Sequence, residues 1–471
     1  MGYKDLREFI QKLEEQGELH RIKTEVDWNL ELSAIMRKVQ ELNGPACLFE
    51  RVKESEFPVL SGAMFGHKRY GMAIGSQSNV RSIMQKMLQA MANPIPPVLV
   101  TDAPCKENID TGDNINLEKF PVPKWHHLDG GRYIGTLGAV ITKDPETGIR
   151  NMGVYRQQML GQTKLAMQAT QHTNIILQKY RARNKAMPVA TAIGVPPEVL
   201  AAAIVRAPFG EDELGIAGGI SGEPIPLTKC ETIDLEVPAS AEIVLEGELQ
   251  PDPSLWEEEG PFGEFTGYFS SLKTKKLPII PLSAVTYRDN PIYQGCSPGI
   301  PPNEETTYRE IGSTVGAWRH LLKAGVPGIK EVYTTEMGCA EFTLVVSMEN
   351  QYYLGNAREV INTVFGTVHQ VKWVIVVDDD IDIFDRRQVE WALAVRVQPH
   401  RDIIITDDRY PGILLDPSIH PDRRGYTQVQ TSRIGIDATT KYKGHEFPPM
   451  VRSAEEQVKQ VEARWKEYGF K

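Results

Sequence analysis

The chain has 471 residues, room for about two to four domains at roughly 100–200 residues each. Hydrophobic residues make up 41% and charged residues 24%, a globular composition that excludes disorder, collagen and coiled coil as the main architecture. A net charge of -10 disfavours nucleic acid and anionic membrane as partners, and five scattered cysteines without a CxxC pair argue against a disulfide framework or zinc knuckle.

The start, MGYKDLREF, is charged at once, so no signal peptide is expected. No apolar run approaches the ~20 residues that span a bilayer, and a cytoplasmic protein is expected. Leu6, Phe9, Ile10 and Leu13 form one helical stripe, with Gly17 placed to end it. A short strand over 19–26 follows. Leu32, Ile35, Met36 and Val39 repeat the helical period, with Gly44 as the stop. ACLFERV and PVLSGAMFG read as strands and VRSIMQKMLQAMAN as a helix, so 1–107 is expected to be a small α/β domain.

From 108 the character changes. GAVITKDPETGIRNMGVYRQQML reads as strand, turn, strand, with 144–148 as the turn. A helix is expected over 172–183, then the strand VATAIGV and the helix PEVLAAAIVRA. Short strands with Gly and Pro punctuation dominate up to 303, which predicts a β-barrel or sandwich-like domain. Residues 304–325 read as a linking helix, and 326–471 return to α/β. There, WVIVV is a buried strand, 356–365 a helix, and Asp385 with Gln388 a capping box. Ser453 and Glu456 repeat that device before a final helix whose stripe is Ala454, Val458, Val461, Trp465 and Tyr468. That stripe needs a cover, from this chain or a partner subunit.

Four constellations carry candidate chemistry. In EEEGPFGEFTGY, Glu259 and Glu264 flank Gly260-Pro261-Phe262-Gly263. A tight turn there returns both carboxylates to one site, where repulsion raises one pKa and suits a general acid; the alternative is a solvated surface hairpin. In NMGVYRQQ, Asn151 and Arg156 would face opposite sides of a regular strand, unless Gly153 marks a bulge. Arg156 would then clamp an anion and pair with a glutamate; the alternative is an exposed strand arginine. Gln171-His172 precedes a helix, as a metal ligand or an ordinary helix-start histidine. Glu213 precedes a glycine-rich stretch that would let backbone approach a phosphate or ion. In KWVIVVDDDIDIFD, Asp378, Asp379, Asp380, Asp382 and Asp385 lack EF-hand spacing and read as a capping, solvated turn. His126-His127 in KWHHLDGG lack a matching third ligand and read as a loop.

Taken together and in this order, NMGVYRQQ, QH, VPASAEIVLEGEL, EGPFGEFTGY and KWVIVVDDDIDIFD with EWALAVR resemble the UbiD family of decarboxylases. The resemblance covers nearly the whole chain. It implies an N-terminal α/β domain (1–107), a split β-barrel flavin domain (108–303), a linker helix (304–325) and a C-terminal oligomerisation domain (326–471). It implies prenylated FMN, a manganese ion and a potassium ion as cofactors. The family's catalytic Glu–Arg–Glu network falls on Glu259, Arg156 and Glu264, and its metal ligands on Asn151, His172 and Glu213. Val154, Tyr155, Gln171 and Lys372 are the further cofactor contacts implied. Phe265, Cys296 and Ile300 are expected near substrate.

The activity implied is reversible decarboxylation of an aromatic, heteroaromatic or α,β-unsaturated acid through a covalent substrate–flavin adduct, with Glu264 as proton donor. The 293–303 loop offers no arginine for a second carboxylate, so a monocarboxylic acid is expected. Partners implied are carbon dioxide, a flavin prenyltransferase that supplies cofactor, and further copies in a homodimer or homohexamer. Rival readings are a metal-dependent hydrolase using Glu259 and Glu264, and a non-catalytic flavin-binding subunit.

Overall fold

The computed structural model describes residues 2–269, 271–420, 424–425, 428–441 and 447–470. Leu6–Glu15 is a helix that buries Leu6, Phe9, Ile10 and Leu13, as its stripe requires. Asp5 caps it by accepting from the Glu8 N–H, and Gly17 ends it at φ +69°. The next helix, Glu31–Glu41, ends differently from expectation: Asn43, one residue before Gly44, takes the left-handed turn at φ +51°. The N-terminal sheet runs Leu19–Ile22, Ala46–Phe49, Val59–Ser61 and Tyr293–Gln294. Its last strand comes from the far end of the central region and pairs parallel with Val59 and Leu60. The start of the 293–303 segment is thereby fixed as sheet.

The central sheet is a half-barrel. Its path is Arg150–Gly153, Gly138–Lys143, Met187–Ile193, Ile243–Leu249, Ile279–Tyr287, Lys164–Met167 and Gln157–Met159, each antiparallel to the next. Asn108–Thr111 pairs with Ile279–Tyr287 off this path. Side chains alternate across the sheet, and both faces are buried. Ala139, Ile141, Ala190 and Val244 join one core, whereas Val140, Val189, Ile243 and Leu245 join another. The strands at the two ends of the path are consecutive in the chain, separated by Val154, Tyr155 and Arg156. The chain therefore steps across the opening of the half-barrel at those residues.

The first core also holds Val80–Ala92, Pro197–Ala203 and Glu213–Ser221. Here the glycine-rich stretch after Glu213 has a packing role. A Cβ on Gly218 would lie 2.3 Å from the Ile95 carbonyl oxygen, and one on Gly219 2.7 Å from that of Ala90. Small residues let the helix sit directly on the 90–95 backbone.

The linking helix, Glu304–Ala324, is capped by Asn303 and buried along most of its length. Its Glu304 carboxylate accepts from the Gly62 and Met64 N–H groups at 2.7 and 2.8 Å, which ties it to the N-terminal sheet. Beyond it a five-stranded mixed sheet runs Ile329–Thr334, Thr343–Met348, Trp373–Asp378, Ile434–Asp437 and Ile403–Ile405. The expected helix at 356 forms as Asn356–Thr367. Asp385 caps Arg386–Arg396, but the capping box is incomplete. Gln388 accepts from the Asp382 N–H, because the Asp385 N–H already bonds the Asp382 carbonyl.

The final helix, Glu455–Ala463, starts one residue too late for Ser453 to cap it, and Ala454 at the cap makes no side-chain bond. Val458, Val461, Trp465 and Tyr468 are all exposed, so the stripe has no cover among the described residues. Among the described residues no helix is long and apolar enough to cross a membrane.

Candidate active site

Glu259 ends the strand Glu257–Glu259, which pairs with Lys275–Leu277. The 260–263 turn then returns the chain, and Glu264 faces the same arginine as Glu259. Arg156 Nη2 lies 2.9 Å from Glu259 Oε2, and Arg156 Nη1 donates to Glu264 Oε1. Both carboxylates are buried, at 1% and 5% exposure. The surface-hairpin and exposed-arginine alternatives therefore fail.

The route to this arrangement differs from the bulge expected at Gly153. Asn151 lies in the strand Arg150–Gly153, while Arg156 lies in the gap before Gln157–Met159, so the two do not share a strand. Gly153 is needed for space. A Cβ there would lie 2.7 Å from the Tyr155 ring, which folds back over it.

Burial is the largest influence on Glu264 and pushes its pKa up, against the opposing pull of Arg156. Glu305 and Glu259 push the same way, while Arg309 opposes. Arg156 is held fully charged by the two glutamates. Its Nε is a buried donor with no partner among the described residues. Tyr133 donates its hydroxyl to Glu259 Oε1 at 2.9 Å. The Arg156 guanidinium lies 5.4 Å from the centre of the Phe262 ring.

Asn151, His172 and Glu213 are linked through their chain neighbours, and the His172 ring lies 5.4 Å from the Phe209 ring. Glu213 Oε2 accepts from the Met152 N–H at 2.8 Å, next to Asn151. Asn151 Nδ2 lies 3.3 Å from Thr173 Oγ1, next to His172. The Tyr155 hydroxyl bonds within the same group, to Thr173 and Asn151. Burial pushes the Glu213 carboxyl up to about 8 and lowers the His172 imidazole, so both favour their neutral forms. Gln171 opens the helix Gln171–Ala182 with φ +48°, an unusual geometry for a side-chain-bearing residue. Gln168 Nε2, just upstream, is buried without a partner among the described residues. These donors and one buried acid are the groups available to an anionic cofactor and a cation.

The remaining expected residues are scattered. Ile300 and Glu264 line a cavity of about 250 Å³ together with Arg37, Trp125, His126 and Tyr268. Phe265 is buried under the Arg309 guanidinium, 4.1 Å from its ring centre. Cys296 is fully buried; its Sγ lies 3.5 Å from both the Thr136 carbonyl and the Tyr308 hydroxyl. Val154 is half-buried in the sheet opening. Lys372 pairs with Asp416 at 3.0 Å and donates to Ser418 at 2.8 Å. The acidic turn takes structural partners, as its sequence suggests: Arg396 for Asp378 and Asp380, Lys330 for Asp379, and Arg81 for Asp382.

Sequence reasoning missed the segment beneath the 260–263 turn. The Gly130 N–H donates to the Pro261 carbonyl at 2.8 Å. The Gly263 N–H donates to Asp129 Oδ1 at 2.9 Å, and the Gly260 N–H to Gln158 Oε1 at 2.8 Å. A Cβ on Gly130 would lie 1.9 Å from the Gly260 oxygen. The Asp-Gly-Gly run was the only local signal of this backbone contact.

Family models match most of the chain. The 3-octaprenyl-4-hydroxybenzoate carboxy-lyase N-terminal, Rift-related and C-terminal domains match residues 10–90, 98–301 and 311–438. The chain belongs to the UbiD family. An uncharacterized protein of Archaeoglobus fulgidus is 34% identical, with 99% of each chain covered. Among solved structures, the UbiD-class enzyme HmfF from Pelotomaculum thermopropionicum in complex with FMN has a TM-score of 0.85 at 34% identity, covering 97% of this chain and 99% of that one. An evolved dimeric form of HmfF is in complex with prFMN. Sedimentibacter hydroxybenzoicus vanillic acid decarboxylase has a TM-score of 0.88 at 31% identity, covering 99% of each chain. This UbiD-family chain is accordingly a carboxy-lyase-type enzyme with the three-domain architecture of that family.

Proposed function

We propose that the protein catalyses reversible, non-oxidative decarboxylation of a monocarboxylic aromatic, heteroaromatic or α,β-unsaturated acid, with prenylated FMN as cofactor. One observation carries the reading: a largely buried arginine shared by two buried carboxylates, one of which has its pKa raised by burial. Vanillic acid and 3,4-dihydroxybenzoic acid decarboxylases among the similar structures support an aromatic substrate class. No such comparison favours a hydrolase.

Bound prenylated FMN supplies an electrophilic centre that takes up the electron pair left when carbon dioxide departs. This chain's residues do the rest. The free Nε–H of Arg156 is a donor for the substrate carboxylate. Glu264, whose pKa burial raises, delivers a proton to the carbon that lost carbon dioxide. Glu259, held by Tyr133, keeps Arg156 charged and aimed. A non-catalytic flavin-binding role would leave this proton-handling network without a task.

Asn151, His172 and Glu213 would hold manganese at the cofactor phosphate, with a potassium ion nearby. A cation fits there, because a carboxyl pushed up to about 8 regains its charge beside one. The same proposal includes cofactor supply by a flavin prenyltransferase, a cytoplasmic setting and a homodimer or homohexamer.

Co-expression with a flavin prenyltransferase, followed by cofactor mass and absorbance, tests loading. A panel of aromatic acids with carbon dioxide release tests turnover. Glu264→Gln is expected to keep its flavin while losing decarboxylation, and solvent deuterium incorporation, by about 10²–10⁴-fold. A fully active Glu264→Gln enzyme would overturn the assignment.

A further inference from the structure

His126 sits between the turn that carries Glu264 and the loop that flanks the cavity. Its Nε2 lies 2.8 Å from the Pro298 carbonyl oxygen. Its Nδ1 lies 3.3 Å from Asp129 Oδ2, and its backbone N–H donates to that same oxygen at 2.8 Å. Both ring nitrogens therefore face oxygens that can only accept. A neutral imidazole has one N–H, so only the imidazolium satisfies both contacts. The other Asp129 oxygen accepts from the Gly263 N–H, one residue before Glu264. Gly263 itself leaves room for the ring, since a Cβ there would lie 2.5 Å from His126 Nδ1.

The groups around the ring reinforce the charge. Asp129 is fully buried on the same segment, and Glu305 faces the imidazole from the start of the linking helix. Glu264 and Arg37 line the same cavity from the catalytic turn and the second N-terminal helix. Burial works against the charged form, but the two acids and the Pro298 carbonyl outweigh it, and the His126 pKa is raised.

We infer that His126 is a positioning residue, which as an imidazolium pins the 296–303 cavity loop to the Asp129-held turn of Glu264. The inference rests on the decarboxylase reading for its kinetic consequence. When the proton is lost, one of the two ring contacts is lost with it, and the tie between loop and turn weakens. Substrate binding then weakens while the proton donor remains in place. The sign follows from the raised pKa: the clamp is complete below about pH 6.5, the ordinary histidine value, and is lost as pH rises through the folded value.

Two readouts test it. Histidine labelled with ¹³C at Cε1 in the full-length protein, assigned with His126→Gln, reports the ring's titration without any turnover. His126 is expected to be charged at pH 7, and Asp129→Asn to lower its midpoint by about one unit. In the flavin-loaded enzyme, KM is expected to rise on the alkaline side in step with that midpoint. The rise should shift downward in Asp129→Asn and vanish in His126→Gln, with the kcat profile retaining its Glu264 limb. A ring neutral at pH 7, or a KM limb unmoved by both variants, overturns the inference. If His126→Gln does not fold, the signal displaced in Asp129→Asn identifies the residue. If the wild-type holoenzyme turns over no acid, the decarboxylase reading fails by itself, and the ring titration still decides whether His126 is charged.

Discussion

Two acid-rich turns in this chain follow strands and lean on a largely buried arginine, yet Glu264 and Asp380 are shifted in opposite directions. In the central region Arg156 is divided between Glu259 and Glu264, both nearly inaccessible, and burial wins at Glu264. In the C-terminal region Asp380 takes both Nη groups of Arg396 at 2.9 and 2.8 Å and lies near Arg452. Hydrogen bonding to Arg396 is the largest influence there, and the Asp380 pKa falls. Asp378, deeper in the same turn, is raised by burial as Glu264 is. Acid count and an arginine partner do not make a proton donor. Depth of burial, and how many donors each carboxylate receives, decide.

Substitutions can break this contrast, beginning with the largest effect. Arg156→Gln leaves two buried carboxylates without their cation and removes the donor proposed for substrate. Decarboxylation should fall by at least about 10²-fold, since a charged, buried hydrogen-bond partner is lost. Its surviving activity should extend to higher pH, because removing Arg156 raises Glu264 further. Single-turnover rates across pH would show this, and an unshifted limb would remove Glu264 from the role of acid.

His172→Ala addresses the neighbouring cluster. It should lose flavin and manganese together, as read by absorbance and metal analysis, while thermal unfolding of the flavin-free protein changes little. Normal flavin content in that variant would count against the ligand assignment.

Asp380→Asn probes the other turn. It should cost about 1 kcal/mol of stability, since the pair is partly open to solvent, with kcat unchanged. The Asp380 pKa is lowered, so this contribution is present above the unfolded value near pH 4 and is lost as pH falls through the folded value. The difference between wild type and variant in denaturation should therefore shrink as pH falls from 7 to 2.5. Gly153→Ala should act more mildly, displacing the Tyr155 ring and weakening flavin retention without abolishing turnover.

Much of this was legible in the chain. The Leu6–Leu13 stripe, the strands of the half-barrel and the capping role of Asp385 follow from local periodicity and local hydrogen bonding. The spacing of Glu259 and Glu264 around a Gly-Pro turn pointed to a shared site. Local pattern misplaced Arg156 on a strand, did not show the packing of the 215–219 glycines, and passed over Asp129 and Tyr133. Each of these depends on a partner far away in sequence: the opposite edge of the sheet, the 90–95 backbone, or the 260–263 turn.

By itself, then, the sequence determined which segments are helix or strand and which acids, arginine and histidine could do chemistry, because those properties repeat over a few residues. Only the tertiary structure decided which way each acid is shifted. The Glu264 pKa rises and the Asp380 pKa falls because burial and donor supply are set by which distant segments close over each carboxylate.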